Sequence, residues 1–382
     1  MSPSVIFLTS QDQEELISLS QTVRRFAEKE ISLVTGSEPA FNREQFTKMA
    51  DLGLAGACVG EAFGGTALSH LEISLMLFEV SKAQMGPAVY LSVHQMVAKI
   101  LSNFWKQESA FSYISKLASG QYLAAFCLTE SGAGSDASAL KTKATKVTSG
   151  YEITGEKIYI TSAGHADLYL VFARTSADPK GGISAFVVLK DDQGISFGPQ
   201  EKKMGAEGSP IASITFEKCI IPSDRLVGQL GDGYKIALSG LAGGRVSIAA
   251  CACGVASRAL ELATDFSKQR SQFGKNISEF QGIQFLLADM YVRTQASILM
   301  TRNAAEELDC KDSSVLHASA AKCFATDSAM QTTTDAVQIF GGAGYLREYE
   351  VERLMRDAKM LQIVEGTNQI QRVVIARELL RD

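Results

Sequence analysis

The run "MLQIVEGTNQIQRVVIAREL", residues 360–379, sets one carboxylate, Glu365, behind apolar residues and directly before Gly366, Thr367 and a helix-like segment. Such an acid can bend out to water at the helix start, where the helix dipole favours negative charge. It can instead stay in the apolar surround, where lost hydration favours the neutral acid and raises its pKa, while the helix N-terminus pulls the other way. The first arrangement is only solvation. The second leaves a proton acceptor.

Two glycine-rich segments, "CLTESGAGSDAS" (127–138) and "FGGAGYL" (340–346), could hold anionic oxygens. Glycine exposes backbone amides there, and a nearby hydroxyl can add to them. Neither has the G-x-G-x-x-G spacing of a dinucleotide fingerprint, since Ala137 follows Gly134 and Arg347 follows Gly344 at the third glycine's place. Neither is a Walker loop, and each alone reads as a turn. Thr129, Ser135, Gln338 and Tyr345 flank them and could reach a ligand. A third stretch, "KQRSQFGK" (268–275), offers Arg270. It is either a solvated charge at a helix C-terminus or a bidentate partner for a diphosphate.

Composition narrows the field. A chain of 382 residues, 46% hydrophobic and 21% charged, can bury a large core across two or three domains. A net charge of −5 argues against a nucleic-acid surface. Uninterrupted apolar runs such as "DLYLVFA" fall short of the roughly 20 residues of a membrane span. The start, "MSPSVIFLTSQDQEE", lacks a basic n-region, so a signal peptide is not expected, and it lacks the Arg-rich, acid-poor character of a transit peptide. Seven cysteines without a Cys-x-x-Cys pair suit a reducing compartment without a disulfide framework. Four dispersed histidines give no structural metal site.

The elements that must carry these residues fall into three zones. From about 10 to 118 the pattern is helical. Ser10 and Gln13 have the form of a capping box, and Leu16, Leu19, Val23 and Phe26 mark one buried face. "REQFTKMADLGLAG", "SHLEISLMLFEVSKAQ", ending near Gly86-Pro87, and "AVYLSVHQMVAKILSNFW" continue it. From about 120 to 225 the chain turns to short β-rich runs: "YEITGEKIYIT", "DLYLVFART", "ISAFVVLK", "GISFGP" and "ASITFEKCIIP". Turns at Thr154-Gly155, Asp178 to Gly182, Asp191-Asp192 and Ser209-Pro210 separate them, which predicts a small barrel or sandwich. With no helices between the strands, a parallel Rossmann sheet is not expected. Helices return over 239–269, 279–308, 313–339, 349–361 and about 368–380, predicting an antiparallel bundle.

Four pieces in this order, "CLTESGAGSD", "IYITSAG", "RSQFG" and "DAVQIFGGAGYLREYEVERLMRDAKMLQIVEGTNQIQRVVIAREL", resemble the acyl-CoA dehydrogenase family over essentially the whole chain. The resemblance implies an α+β chain with a helical domain (1–120), a middle β-domain (121–225) and a C-terminal four-helix bundle (226–382). It implies bound FAD, a homotetramer built as a dimer of dimers, and electron transfer to an electron-transferring flavoprotein. Position by position, Phe126, Cys127, Leu128, Thr129, Gly134 and Ser135 would line the flavin. Tyr159, Ile160 and Thr161 would pack beside its ring. Arg270, Phe273, Gln281, Gln338, Gly341 and Gly342 would come from a neighbouring subunit to hold the adenosine diphosphate half, with Thr367 and Gln369 completing the site.

Glu365 then matches the family's base, taking the α-proton of an acyl-CoA thioester while the β-hydride goes to flavin N5, to give a trans-2-enoyl-CoA. Its amide would help bind the thioester oxygen. Ser135, Gly244, Arg245 and Gly366 match substrate-contacting positions. Some relatives carry the base one residue before that arginine, where this chain has Gly244, so Glu365 has no competitor. Departures are Ala242 where Asp is common, Tyr159 where Trp is common, and Ser131 for Pro. "LAGGRVSIAA" and "LSVHQM" look most like members acting on isobutyryl-CoA, with straight short chains next. The resemblance implies a cytoplasmic bacterial enzyme ahead of one of the mitochondrial matrix. An oxidase on the same fold is the nearest rival, and a non-enzymatic helical assembly a more distant one.

Overall fold

The computed structural model describes residues 7–8, 13–31, 40–179, 181–311 and 315–381. The N-terminal helices are α1 (Glu14–Phe26), α2 (Arg43–Asp51), α3 (His70–Ala83), α4 (Met85–Phe104) and α5 (Ala110–Ala118). Leu16, Leu19, Val23 and Phe26 face the core as their spacing requires. The capping box expected at Ser10 lies outside the described residues, and α1 opens directly after Gln13, whose side chain caps nothing. The box is instead on α3, where Ser69 Oγ accepts from the Glu72 amide at 3.2 Å and Glu72 accepts from the Ser69 amide at 2.7 Å.

Gly86-Pro87 does not end a helix. It lies in the first turn of α4, where proline's missing N–H costs no hydrogen bond, and the break falls at the extended residue Gln84.

The middle zone holds β1 (Ala124–Cys127), β2 (Lys143–Val147), β3 (Gly150–Thr161), β4 (Leu168–Arg174), β5 (Ile183–Leu189), β6 (Ile195–Phe197), β7 (Ile211–Ile221) and β8 (Leu226–Val227). They form one eight-stranded sheet in the order β6-β7-β3-β2-β4-β5-β8, with β1 beside β4. Most pairs are antiparallel, while β1 runs parallel to β4. The five β-rich runs of the sequence are β3 to β7. Strands β1 and β2 escape notice because "AAFC" is short and "KATKV" is charged at alternate positions. In the turn between Asp178 and Gly182, Lys180 lies outside the described residues.

The C-terminal zone comprises α6 (Gly233–Gln269), a small hairpin β9 (Ser271–Gln272) and β10 (Lys275–Asn276), then α7 (Gln281–Lys311), α8 (Val315–Phe340), α9 (Glu350–Leu361) and α10 (Asn368–Leu379). By length and composition α6 could cross a membrane, unlike any uninterrupted apolar run in the sequence. Its apolarity is averaged over glycine, alanine, serine and cysteine, and 67% of the apolar window is buried inside the protein. It is the axial core helix, touching α3, α4, α7, α8 and α9. Small side chains let neighbours approach closely: a Cβ on Gly254 would lie 2.1 Å from Ser81 Oγ of α3.

The three zones interlock through residues 204–207. Arg356 of α9 donates to Met204 O at 2.7 Å and pairs with Glu207, while Asp357 accepts from the Ala206 amide at 2.6 Å. From the N-terminal zone, Gln84 donates to Glu207 O at 3.2 Å. Burial pushes the Asp357 carboxyl up to about 6.

Candidate active site

The chain leaves α9 in a tight turn before α10. Within it Glu365 and Gly366 take left-handed φ of 56° and 86°. Glycine does this freely, whereas a glutamate there is uncommon and must be held. Gln371 holds it from inside α10, its amide donating to Glu365 O at 3.0 Å and Gly366 O at 2.8 Å. Lys322 of α8 donates to Gly366 O at 3.0 Å and Asn368 Oδ1 at 2.8 Å. Thr367 then caps α10, accepting from the Ile370 amide.

The left-handed turn aims the glutamate inward. Its Oε2 is buried and has no hydrogen-bond partner, although the residue as a whole is partly exposed. Gly244 on α6 makes the room. A Cβ at that position would lie 2.6 Å from Glu365 Oε2, 2.9 Å from its carboxyl carbon and 3.3 Å from Met96 Sδ of α4. The solvent-facing reading of Glu365 therefore does not describe this carboxylate. Burial raises its pKa to about 7, with Arg245 and Lys322 pulling it down. Arg245 is itself buried, donates to Ser319 Oγ at 3.2 Å, and has an Nε without a partner. Among the described residues the Glu365 amide makes no hydrogen bond and is free to donate.

A second group gathers on the β-domain. The Ile158 amide donates to Thr129 O at 3.0 Å, joining the segment after β1 to β3. Pairing of β3 with β7 shifts register between Lys157 and Ile160, and in this bulge Tyr159 has a φ of 55° and is 66% exposed. A bulge re-aims a side chain, here turning a large aromatic off the sheet beside Ile160 and Thr161. Phe126 is half-buried, whereas Cys127 and Leu128 lie in the core.

The glycine-rich loop is pinned at its base and open at its tip. Glu130 pairs with the buried Lys157 at 2.7 Å and accepts from the Lys141 and Thr142 amides. Beyond it Ser131, Gly132, Gly134 and Ser135 are exposed, and their amides make no hydrogen bond among the described residues. Unused donors around glycines with open space suit a phosphate-bearing group, so these residues fit a flavin dinucleotide.

The remaining expected ligands form a third, separate group. Arg270 ends α6, Phe273 tips the β9–β10 hairpin at 94% exposure, Gln281 starts α7, and Gln338, Gly341 and Gly342 lie around the end of α8. The stack of Phe266 on Phe340, with centroids 4.0 Å apart, ties these ends together. A single chain does not bring this group to Glu365. Along α6, Arg270 is roughly 39 Å from Gly244 at the helical rise of 1.5 Å per residue. Thr367 and the exposed Gln369 stay with Glu365 at the start of α10.

Several site residues are silent in the sequence. Lys322 carries the only charge in "HASAAKCFATD" before its final aspartate, a signal that could have marked it. Met96 of α4 borders the gap between Gly244 and the glutamate, and Ile100, one turn along, packs on α6 at Gly240, whose Cβ would lie 2.4 Å from Ile100 Cδ1. Ser162, next to Thr161, has a buried hydroxyl without a partner.

A buried, unpartnered carboxylate in the helical zone and an open glycine-rich loop of unused amides on the sheet are features that a flavin-type oxidoreductase requires. Family models for the acyl-CoA dehydrogenase N-terminal, middle and C-terminal domains match residues 13–121, 125–219 and 231–380. The chain belongs to the acyl-CoA dehydrogenase family, whose members are FAD-dependent oxidoreductases. It is 39% identical to the mitochondrial isobutyryl-CoA dehydrogenase of Dictyostelium discoideum, over 100% of this chain and 91% of that one. Butyryl-CoA dehydrogenase from Megasphaera elsdenii superposes with a TM-score of 0.95 at 37% identity, covering 98% of this chain and 100% of the other. A chain in the structure of the electron transferring flavoprotein of Acidaminococcus fermentans gives 0.95 at 40% identity, covering 98% and 100%.

Proposed function

We propose that this enzyme α,β-dehydrogenates a short acyl-CoA thioester, straight or branched, to its 2-enoyl-CoA, with Glu365 as the base. The observation that carries the reading is the unpartnered, buried Glu365 Oε2 facing the gap over Gly244. A carboxyl poised at about 7 is ionised in good part at neutral pH, and its hydration is already removed. It takes the α-proton, while its own free amide donates to the thioester oxygen and eases that loss. Arg245, buried on α6, keeps a positive charge facing the carboxylate.

FAD would be held by Phe126, Cys127, Leu128, Thr129, Gly134, Ser135, Tyr159, Ile160, Thr161, Thr367 and Gln369 of one chain. Arg270, Phe273, Gln281, Gln338, Gly341 and Gly342 of a second copy would complete it. When bound, it supplies the acceptor for the hydride from the β-carbon. The separation of the two groups within a chain supports assembly from several copies. So does the exposed stripe Phe285, Val292 and Leu299, repeating every seventh residue on α7. We infer a homotetramer.

Ser135, Gly244, Arg245 and Gly366 would contact the substrate. Chain length would be limited by Met96 at Gly244 and by Ile100 one turn along at Gly240, and the names of the isobutyryl- and butyryl-CoA relatives support that class. An electron-transferring flavoprotein would be the acceptor.

Anaerobic titration of the yellow holoenzyme with acyl-CoA thioesters tests this. Isobutyryl- or butyryl-CoA should bleach the flavin, and Glu365→Gln should keep its flavin yet resist bleaching. Turnover persisting in that variant would remove Glu365 as the base. Fast reoxidation by oxygen would make the enzyme an oxidase.

A further inference from the structure

Lys322 is fully buried on α8, at 0% exposure. Burying an ammonium is costly, and a helix anchor does not need one. Asn368 already ties α10 to α8 without charge on its own side, its amide donating to Thr326 Oγ1 at 2.9 Å and Asp327 Oδ1 at 2.7 Å. The ammonium goes to a more particular place. Its bond to Gly366 O falls one residue beyond Glu365, on the second of two consecutive left-handed residues. That carbonyl belongs to the Gly366–Thr367 peptide, so Lys322 holds the far side of Gly366 while Gln371 holds the Glu365 carbonyl, and together they fix the left-handed pair that directs the glutamate side chain.

The charged groups acting on Glu365 are Arg245 from α6 and Lys322 from α8, and the Met96 thioether of α4 borders the same gap. Lys322 in turn faces Asp327 and Cys323 of its own helix, and Arg245. Arg245 spends a donor on Ser319, whereas Lys322 bonds the turn itself.

We infer that Lys322 is a positioning residue for Glu365: its ammonium fixes the Glu365–Gly366 turn through the Gly366 carbonyl and keeps a positive charge behind the carboxylate. This rests on the reading of Glu365 as the base. Two effects follow, one geometric and one electrostatic, and they separate by substitution. Lys322→Gln retains a donor for Gly366 O without charge, Lys322→Met removes both, and Lys322→Arg restores the charge.

The test uses holoenzyme of all three variants and of wild type. The pH dependence of kcat/KM with butyryl-CoA is measured beside an infrared titration of the Glu365 carboxyl band, identified by its loss in Glu365→Gln. Removing the positive charge should move both the acidic limb and the band upward by about one pH unit in Gln and Met. Lys322→Met should lose about tenfold or more in kcat beyond Lys322→Gln, and Lys322→Arg should return the limb toward wild type. A limb and band that stay at the wild-type pH in both Gln and Met would overturn the inference, even with lowered thermal stability, and leave Lys322 a helix anchor. The infrared titration needs no turnover, so a poorly active variant still decides the question. If Glu365→Gln itself turns over, the base assignment fails separately, and the band in the Lys322 variants still reports whether the lysine acts on that carboxyl.

Discussion

Replacing Gly244 by alanine is the sharpest test of the geometry at the glutamate. The added methyl would start 2.6 Å from Glu365 Oε2 and 2.9 Å from its carboxyl carbon, against ordinary contacts that begin at 3.4 Å. The carboxylate must retreat by about 0.8 Å at the oxygen, because α6 is clamped along its length and the side-chain end is what can move. A displacement near 1 Å costs about a hundredfold in rate where two reacting groups must be aligned, or about 2.7 kcal/mol. Stability should change little, since overpacking of about 1 kcal/mol is set against about 0.8–1.0 kcal/mol of helix propensity gained by alanine over glycine. The assay pairs kcat with butyryl-CoA against thermal midpoint and flavin absorbance. Gly243→Ala is the control, because its methyl would meet His70 Cε1 at 3.2 Å rather than the glutamate. A Gly244→Ala enzyme with wild-type kcat, or one no slower than Gly243→Ala, would refute the reasoning.

The raised pKa of Glu365 has a second consequence. The folded chain holds this proton at about 7 against an ordinary value of 4.5, so the group's contribution to stability is complete below about pH 4.5 and is lost as pH rises through 7. Glu365→Gln cannot ionise and should be more stable than wild type above pH 7, by at most about 3.4 kcal/mol for a rise of about 2.5 pKa units at 1.36 kcal/mol each, with the gap closing toward pH 4.5. Thermal unfolding across pH 4.5–9 measures it, and a gap that grows toward acid would contradict the burial. On α4, Ile100→Ala or Met96→Ala should open the acyl pocket. Profiling kcat/KM over acyl length should show a gain of about fourfold per added methylene accommodated, at about 0.8 kcal/mol each. An unchanged profile would place the end of the pocket elsewhere.

The fold class was legible because each zone keeps one period: Leu16, Leu19, Val23 and Phe26 mark a helix, and the runs from Tyr151 to Ile221 mark strands. Glu365 stood out as an acid behind an apolar run. Its neighbour across the gap, Gly244, is far away in sequence, and no local pattern announces that two backbones will meet there. The outward turn of Tyr159 depends on a register shift between β3 and β7, a pairing property invisible in "IYIT" alone. Gly86-Pro87 misled for a physical reason: the same dipeptide can end one helix or open the next, and only the extended conformation of Gln84 decides.

The crowding around α6 also sets where this enzyme can change. Gly240, Gly244 and Gly254 are each walled in by atoms of another element within 2.6 Å of where a side chain would begin. In this chain a bulkier or longer substrate therefore finds no slack at those three glycines, and room for it would have to come from shortening the opposing side chains of α4, Met96 and Ile100.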